Sequence, residues 1–330
     1  MKGKGGSHVR TLRLGTRGSQ LALYQANTTA ALLARHAGVT CEIVVIKTSG
    51  DRLAEAPLSE VGGKRLFVKE IEDALLAGDV DLAVHSSKDM PAVLPQGLDI
   101  AAVLEREDPR DAIVLPGGGE SLTVEQAVSR LGDSPRIGTS SVRRSAQLTR
   151  LFPGASFSPI RGNLDTRLRK VDQGQFSAIV LAAAGLRRLE QGHRISASLP
   201  AGLCVPAPGQ GIIAIEIRAG DAAVRQAVSV IDNAAARVAL DAERAVVTRL
   251  GGGCQMPIGA YADVSGRAMT MVALVATPDG ARILRADRQG TTEAAAALGA
   301  AAADDLLAQG AAEILAEVER TNARVEGLQP

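Results

Sequence analysis

The chain has 330 residues, 46% of them apolar and 2% aromatic, with no tryptophan and a formal net charge of +1. That length exceeds one ordinary core and suits two or three domains with aliphatic interiors. Near-neutral charge and the shortage of aromatic stacking platforms exclude a protein defined by non-specific nucleic-acid binding. No run of about 18 apolar residues occurs, so no membrane span is expected. The opening "MKGKGGSHVRTLRLG" is basic without an apolar stretch, so no secretion signal is expected and the cytoplasm is the default location.

In chain order, helical spacing over 19–36 leads to an apolar strand run at 41–48, a helix at 66–77 and a strand at 81–86. Further on come a strand at 135–140, helices at 141–151 and 163–172, and strands at 176–183 and 211–218. Such alternation predicts parallel sheets with covering helices. Two stretches look like crossings between domains: "EREDPRDAIVLPGGGE" (105–120) and "LCVPAPGQG" (203–211). The chain is therefore expected to leave a first α/β lobe (10–106), build a second (112–205), and return to the first (209–231). Two strands of hinge would leave a cleft between the lobes. A smaller α+β domain is expected over 233–320: a long helix to about 250, a loop, three short strands and Ala-rich helices. Residues 1–9 and 321–330 are expected to be loosely ordered.

Three segments share a plan of strand, polar loop with arginine, then helix: "RLGTRGSQLAL" (13–23), "IGTSSVRRSAQL" (137–148) and "IRGNLDTRLRK" (160–170). The free N–H groups at a helix start, with arginine's planar fork, make each a candidate anion site. Residues 133–172 hold eight basic and three acidic side chains, which points to a small polyanionic ligand in a basic cleft. No GxxxxGK[ST] or GxGxxG loop supports a nucleotide. "AVHSSKDMP" (83–91) places His85, Lys88 and Asp89 at a strand end, where α/β proteins put ligands. A carboxylate in cationic surroundings stays ionised and can stabilise a cationic intermediate, whereas a strand-closing histidine reads as a structural hydrogen-bonder. "VGGKRLFVKEIE" (61–72) adds Lys64 and Lys69. The three cysteines, Cys41, Cys204 and Cys254, are far apart and suggest neither a disulfide framework nor a metal site. Cys41 and Cys204 read as core residues. Cys254, in "LGGGCQMPIG", sits in a glycine loop that leaves its sulfur approachable.

Taken in order, "RLGTRGSQLAL", "VGGKRLFVKE", "AVHSSKDMP", "EREDPRDA", "IGTSSVRRSAQL", "IRGNLDTRL", "APGQG" and "GGGCQMPIG" resemble the motifs of the porphobilinogen deaminase (hydroxymethylbilane synthase) family over roughly 10–320. The resemblance implies two lobes of the type II periplasmic-binding-protein kind with a central cleft, plus the α+β C-terminal domain. It implies a transferase of tetrapyrrole synthesis that joins four porphobilinogen molecules head to tail, releasing ammonia. It also implies a dipyrromethane cofactor held by a thioether to Cys254. By the same resemblance Asp89 is the catalytic carboxylate, supporting the azafulvene cation. Ser86, Lys88, Thr139, Ser141, Arg143 and Arg144 would hold the cofactor. Arg17, Ser19, Lys64, Arg161, Arg167 and Arg188 would hold substrate carboxylates. Arg65 and Glu60 depart from the expected pattern, where glycine and lysine are usual. The competing reading is a solute-binding or effector-sensing module that closes on anions without chemistry; it gives Cys254 no role. A monomer without nucleic-acid or membrane partners is the default.

Overall fold

The computed structural model describes residues 11–49, 68–251 and 256–325. Lys64, Arg65, Glu60 and Cys254 lie outside the described residues, as do 1–10 and 326–330. Strands β1 (Thr11–Thr16), β2 (Thr40–Val45), β3 (Leu82–Ser86), β4 (Leu98–Val103) and β10 (Ile213–Arg218) form one sheet, in the order β2-β1-β3-β10-β4. Strands β5 (Asp111–Val114), β6 (Arg136–Gly138), β7 (Ser156–Ser158), β8 (Ala178–Ala182) and β9 (Ala197–Leu199) form a second, in the order β7-β6-β8-β5-β9.

The two sheets share one plan. In each, three strands run parallel (β2, β1, β3; β7, β6, β8), and one strand pairs antiparallel to the third of them. That antiparallel strand is always the one adjoining a crossing. β5 enters the second sheet directly after residues 104–110, and β10 re-enters the first after 200–212. The molecule therefore contains two α/β lobes joined by two crossings. The glycines of the expected first crossing fall beyond β5, inside the second lobe. The apolar "AIV" between them is a buried strand.

Helices occupy the connections: α1 (Gln20–Ala37), α2 (Lys69–Ala77), α3 (Val124–Leu131), α4 (Val142–Leu148), α5 (Leu164–Asp172), α6 (Ala183–Arg188) and α7 (Ala222–Ser229). Five of the seven start at a side-chain cap, α2 and α6 being the exceptions. Ser19 Oγ accepts from Ala22 N at 3.3 Å, Ser141 Oγ from Arg144 N at 3.4 Å, and Asn163 Oδ1 from Thr166 N at 3.0 Å. The expected helix over 66–77 is seen from Lys69, and the strand expected over 41–48 ends at Val45.

The third domain is α8 (Ala234–Leu250), the antiparallel sheet β11 (Ile258–Ser265), β12 (Ala268–Ala276) and β13 (Ile283–Thr291), then α9 (Ala295–Ala308) and α10 (Ala311–Val325). Its strands, at eight, nine and nine residues, are the longest described, not short as expected. Residues 321–325, expected to be loose, continue α10. A Cβ at Gly299 would fall on the Ala242 carbonyl. The Ala- and Gly-rich composition of α9 thus lets it lie close against α8. The opposite sheet face meets the second lobe through Val272, Leu274 and Ala276 against Ala146 and Val205.

Glu243, fully buried on α8, ties this domain to both crossings. It accepts from Arg106 Nη1 at 2.6 Å, Gly209 N at 2.6 Å and Ala262 N at 2.8 Å. Arg106 also donates from Nε to Gln210 O at 2.9 Å. The third domain is thereby fastened to the hinge as well as to a lobe.

Candidate active site

β3 ends at Ser86 and passes into a single tight turn, Ser87–Asp89, at the edge where the crossings meet. Ser86 Oγ and the buried Gln25 amide exchange hydrogen bonds at 2.9 and 3.2 Å, fixing α1 against the strand end. Arg17, Ser19, Gln25, Ser86 and Asp89 line a small pocket of about 60 Å³. The first polar loop and the Asp89 turn, 70 residues apart in sequence, are thus brought together.

The second lobe approaches the same turn. Burial pushes the half-buried Lys88 ammonium down to about 8; the Asp89 charge opposes this and the Arg144 charge adds to it. Burial likewise pushes the Arg167 guanidinium down to about 10, with Arg144 and Arg161 adding and Asp89 opposing. Burial also lowers Arg161. Lys88, Asp89, Arg144 and Arg167, with Arg161 coupled through Arg167, therefore share one field. Arg167 Nε donates to Gly162 O at 2.8 Å, across a glycine at φ 106°, where a Cβ would collide with Thr166. Thr139 Oγ1 accepts from Ser141 N at 3.2 Å, shaping the loop that opens α4.

Arg143 and Arg144 have a different setting. Asp111, fully buried at the start of β5, accepts from Arg143 Nη1 at 2.7 Å and Arg144 Nε at 2.9 Å. It accepts as well from Gln210 Nε2 at 2.9 Å, and Cys204 Sγ stands 3.4 Å away. Arg143 Nη1 donates a further bond to Val205 O at 2.6 Å. Burial alone would raise Asp111, but the two guanidinium groups hold its carboxyl well below the usual carboxylate range. Arg188 Nη2 donates to Gly211 O at 2.6 Å and so pins the second crossing. Three of the expected carboxylate binders thus have ligands inside the protein, two on Asp111 and one on a backbone carbonyl.

His85, expected as a structural hydrogen-bonder, is buried with Nε2 3.1 Å from Glu216 Oε2 on β10. Cys41 is half-buried and Cys204 buried, and burial pushes both thiols up, to about 11 and about 12. Asp111, Gln210 and Gln25 were missed by sequence reasoning. The PRDA and APGQG motifs contain the first two but do not reveal that they meet. Among the described residues no group of three potential metal ligands is found, and no helix is long and apolar enough to cross a membrane. A larger cavity, about 420 Å³ between Gly202 and the outer face of the third domain's sheet, is lined by none of these groups.

Fold and charges together define a two-lobed α/β protein with a cationic cleft at its hinge and one carboxylate-bearing turn within it. Residues 12–226 match the model of the porphobilinogen deaminase dipyromethane cofactor binding domain, and 238–308 that of the porphobilinogen deaminase C-terminal domain. The chain belongs to the porphobilinogen deaminase family. It is 46% identical over 312 residues to the porphobilinogen deaminase of Syntrophobacter fumaroxidans, covering 94% of this chain and 99% of that one. To that of Bordetella parapertussis it is 47% identical, covering 95% and 98%. Among solved structures, an ancestral arginine-binding protein aligns at a TM-score of 0.36 and 16% identity, over 67% of this chain and 91% of that one.

Proposed function

We propose that this chain condenses porphobilinogen stepwise into the linear tetrapyrrole hydroxymethylbilane, releasing one ammonia per ring added. The observation that carries this reading is that Asp89 shares its electrostatic surroundings with Lys88 of its own turn and with Arg167 of the second lobe, which Arg161 joins. Porphobilinogen carries an acetate and a propionate, so each added ring brings two negative charges. Cations held below their ordinary values by burial regain them when carboxylates arrive, which favours polyanion binding.

The same argument tests whether a dipyrromethane group suits the site. Lys88 and Arg167, with the Ser141 and Thr139 loop at the start of α4, offer buried charge and polar groups to its carboxylates. They fit it. Bound through a thioether at Cys254, the group supplies a primer carrying the carbon to which the first substrate is joined.

The protein's own part is positioning and charge. Arg17 and Ser19 beside Asp89, and Arg161 and Arg167 opposite, hold the substrate's carboxylates. The C–N bond of the protonated aminomethyl group of porphobilinogen (–CH2–NH3+) then breaks, and nitrogen leaves with the electron pair as ammonia. The carbon left behind is part of a cation delocalised onto the pyrrole nitrogen. Asp89 stabilises that cation and accepts a hydrogen bond from the pyrrole N–H. An ion pair at about 4 Å is worth roughly 4 kcal/mol at an effective dielectric near 20, which corresponds to about three orders of magnitude in rate. A new carbon–carbon bond forms as the attacking pyrrole carbon loses its proton. We further propose that 10–106 with 209–231, 112–205 and 233–320 are the three domains, and that the enzyme acts as a cytoplasmic monomer.

The test is to follow freshly made protein by intact mass while porphobilinogen is added. An adduct of two pyrrole units on the peptide containing Cys254, growing by one unit per turnover with ammonia released, is the expected result. Active protein at the bare sequence mass contradicts it.

A further inference from the structure

The second crossing touches the Asp89 turn at a point where no atom can be added. Gly209 has φ 72°, and a Cβ there would lie 2.5 Å from Ser87 Oγ and 2.9 Å from Ser87 Cβ, with Leu240 Cδ1 at 3.1 Å. Ser87 is buried and opens the turn that ends in Asp89. Among the described residues its Oγ meets no hydrogen-bond partner. Its amide donates to Ile212 O at 2.9 Å. The turn is thus seated on the crossing by van der Waals contact and by the Ser87 N–H to Ile212 backbone bond.

The crossing is in turn held from three sides. Gly209 N donates to Glu243 of the third domain at 2.6 Å. Gln210 Nε2 donates to Asp111 of the second lobe at 2.9 Å, and Gln210 O accepts from Arg106 of the first crossing. Beyond it, β10 runs alongside β3 from Ile213 opposite Ser86 to Ile217 opposite Leu82. Close-packed contacts without slack transmit displacement, because neither side can yield without strain.

We propose that Gly209 is a positioning residue for Asp89. Its lack of a side chain lets the second crossing bear directly on Ser87, so the setting of the hinge and third domain fixes where the Asp89 carboxylate stands. This rests on the proposed function for its kinetic test and goes beyond it in naming the coupling. Misplacing a reacting group by about 1 Å can cost on the order of a hundredfold in rate.

Gly209→Ala adds an atom to the contact from the crossing side. Ser87→Thr adds one from the turn side without straining a left-handed backbone. Gly209→Ala/Ser87→Gly restores the space. Both single variants should lose at least tenfold in kcat with KM within about twofold, and the double variant should recover part of what Gly209→Ala loses, the remainder being left-handed backbone strain that Ser87→Gly does not relieve. Amide exchange at residues 87–90, read on the same proteins, should quicken in both single variants and slow again in the double. Should Gly209→Ala fail to fold, Ser87→Thr carries both readouts. Unchanged exchange, unchanged kcat, or a double variant as slow as Gly209→Ala overturns the inference. Failure of the proposed function itself looks different: the wild type consumes no porphobilinogen while the exchange contrast persists.

Discussion

Two sets of arginines face the hinge of this protein, and their surroundings give them different work. Arg143 and Arg144 are buried against Asp111, which sits at the start of β5 and also accepts from Gln210 of the second crossing. Arg161 and Arg167, with Lys88, are pushed down by burial. The first set is compensated inside the fold and braces the second lobe against both crossings. The second carries charge that an arriving carboxylate would relieve. Residue type and motif position look the same in both. Among the described residues, what separates them is whether a carboxylate of the protein already occupies the fork.

The sharpest way to break this contrast is to remove Asp111. Asp111→Asn leaves two guanidinium groups buried without a carboxylate, and breaking a buried ion pair typically costs about 3–5 kcal/mol. Urea unfolding at pH 7 should show a loss of that order. Because the folded carboxyl is held below its unfolded value, its contribution is full at neutral pH. It begins to fade only as pH drops below about 4 and is lost as pH passes the folded value. The stability gap between wild type and variant should therefore narrow steadily as pH falls from about 4 toward 2. A difference that stays constant down to that pH would remove the charge argument.

On the other side, Arg167→Gln should leave stability within about 1 kcal/mol, since it gives up one backbone hydrogen bond and relieves a buried charge. Cofactor loading or elongation should fall more than tenfold, from the loss of a charge-assisted contact worth roughly 1.5–3 kcal/mol. Arg161→Lys should fail similarly, because lysine lacks the bidentate fork. Normal turnover in Arg161→Lys, or an Arg167→Gln protein as unstable as Asp111→Asn, would collapse the two sets into one.

A smaller effect attaches to Lys88. Burial holds its folded value near 8 against an ordinary 10.5. Between those values the unfolded chain binds more protons, so stability rises with pH across that window. In a Cys254→Ser background, which carries no tethered group, the unfolding free energy of the protein relative to its Lys88→Met variant should show this rise; taking the difference cancels the opposite slope of Cys41 and Cys204, whose raised thiols cost stability above about pH 9. With the cofactor attached, carboxylates near the ammonium should raise its folded value and narrow the window. Identical profiles with and without Lys88 would show that its charge is fully solvated.

Much of this arrangement could be read in the sequence because it is local. Ser19, Ser141 and Asn163 mark helix starts by the side-chain caps they make, and the apolar run 81–86 marks the strand that delivers Asp89. The paired crossings were visible as breaks in composition. Strands β4, β5, β7 and β9 are absent from the sequence reading; β7 and β9, at three residues, set no period, and the apolar residues of β5 sit among charges and glycines. The motif resemblance marks Arg143, Arg144 and Arg188 as carboxylate binders but says nothing of their partners inside the fold. Asp111 lies 32 and 33 residues from the arginines and 99 from Gln210, and only the fold brings them together. The same holds for Gly209 and Ser87, whose contact no local pattern records.

In the proposed mechanism Asp89 stabilises positive charge formed as ammonia departs, while the buried cations around it bind carboxylates. The most direct measurement is single-turnover ammonia release by Asp89→Asn protein loaded with preformed tetrapyrrole, a substitution that keeps shape and removes charge. The account predicts a protein that folds, carries its adduct and binds porphobilinogen, but releases ammonia at least a hundredfold more slowly than wild type. Release at close to the wild-type rate would make Asp89 a structural residue and contradict the mechanism.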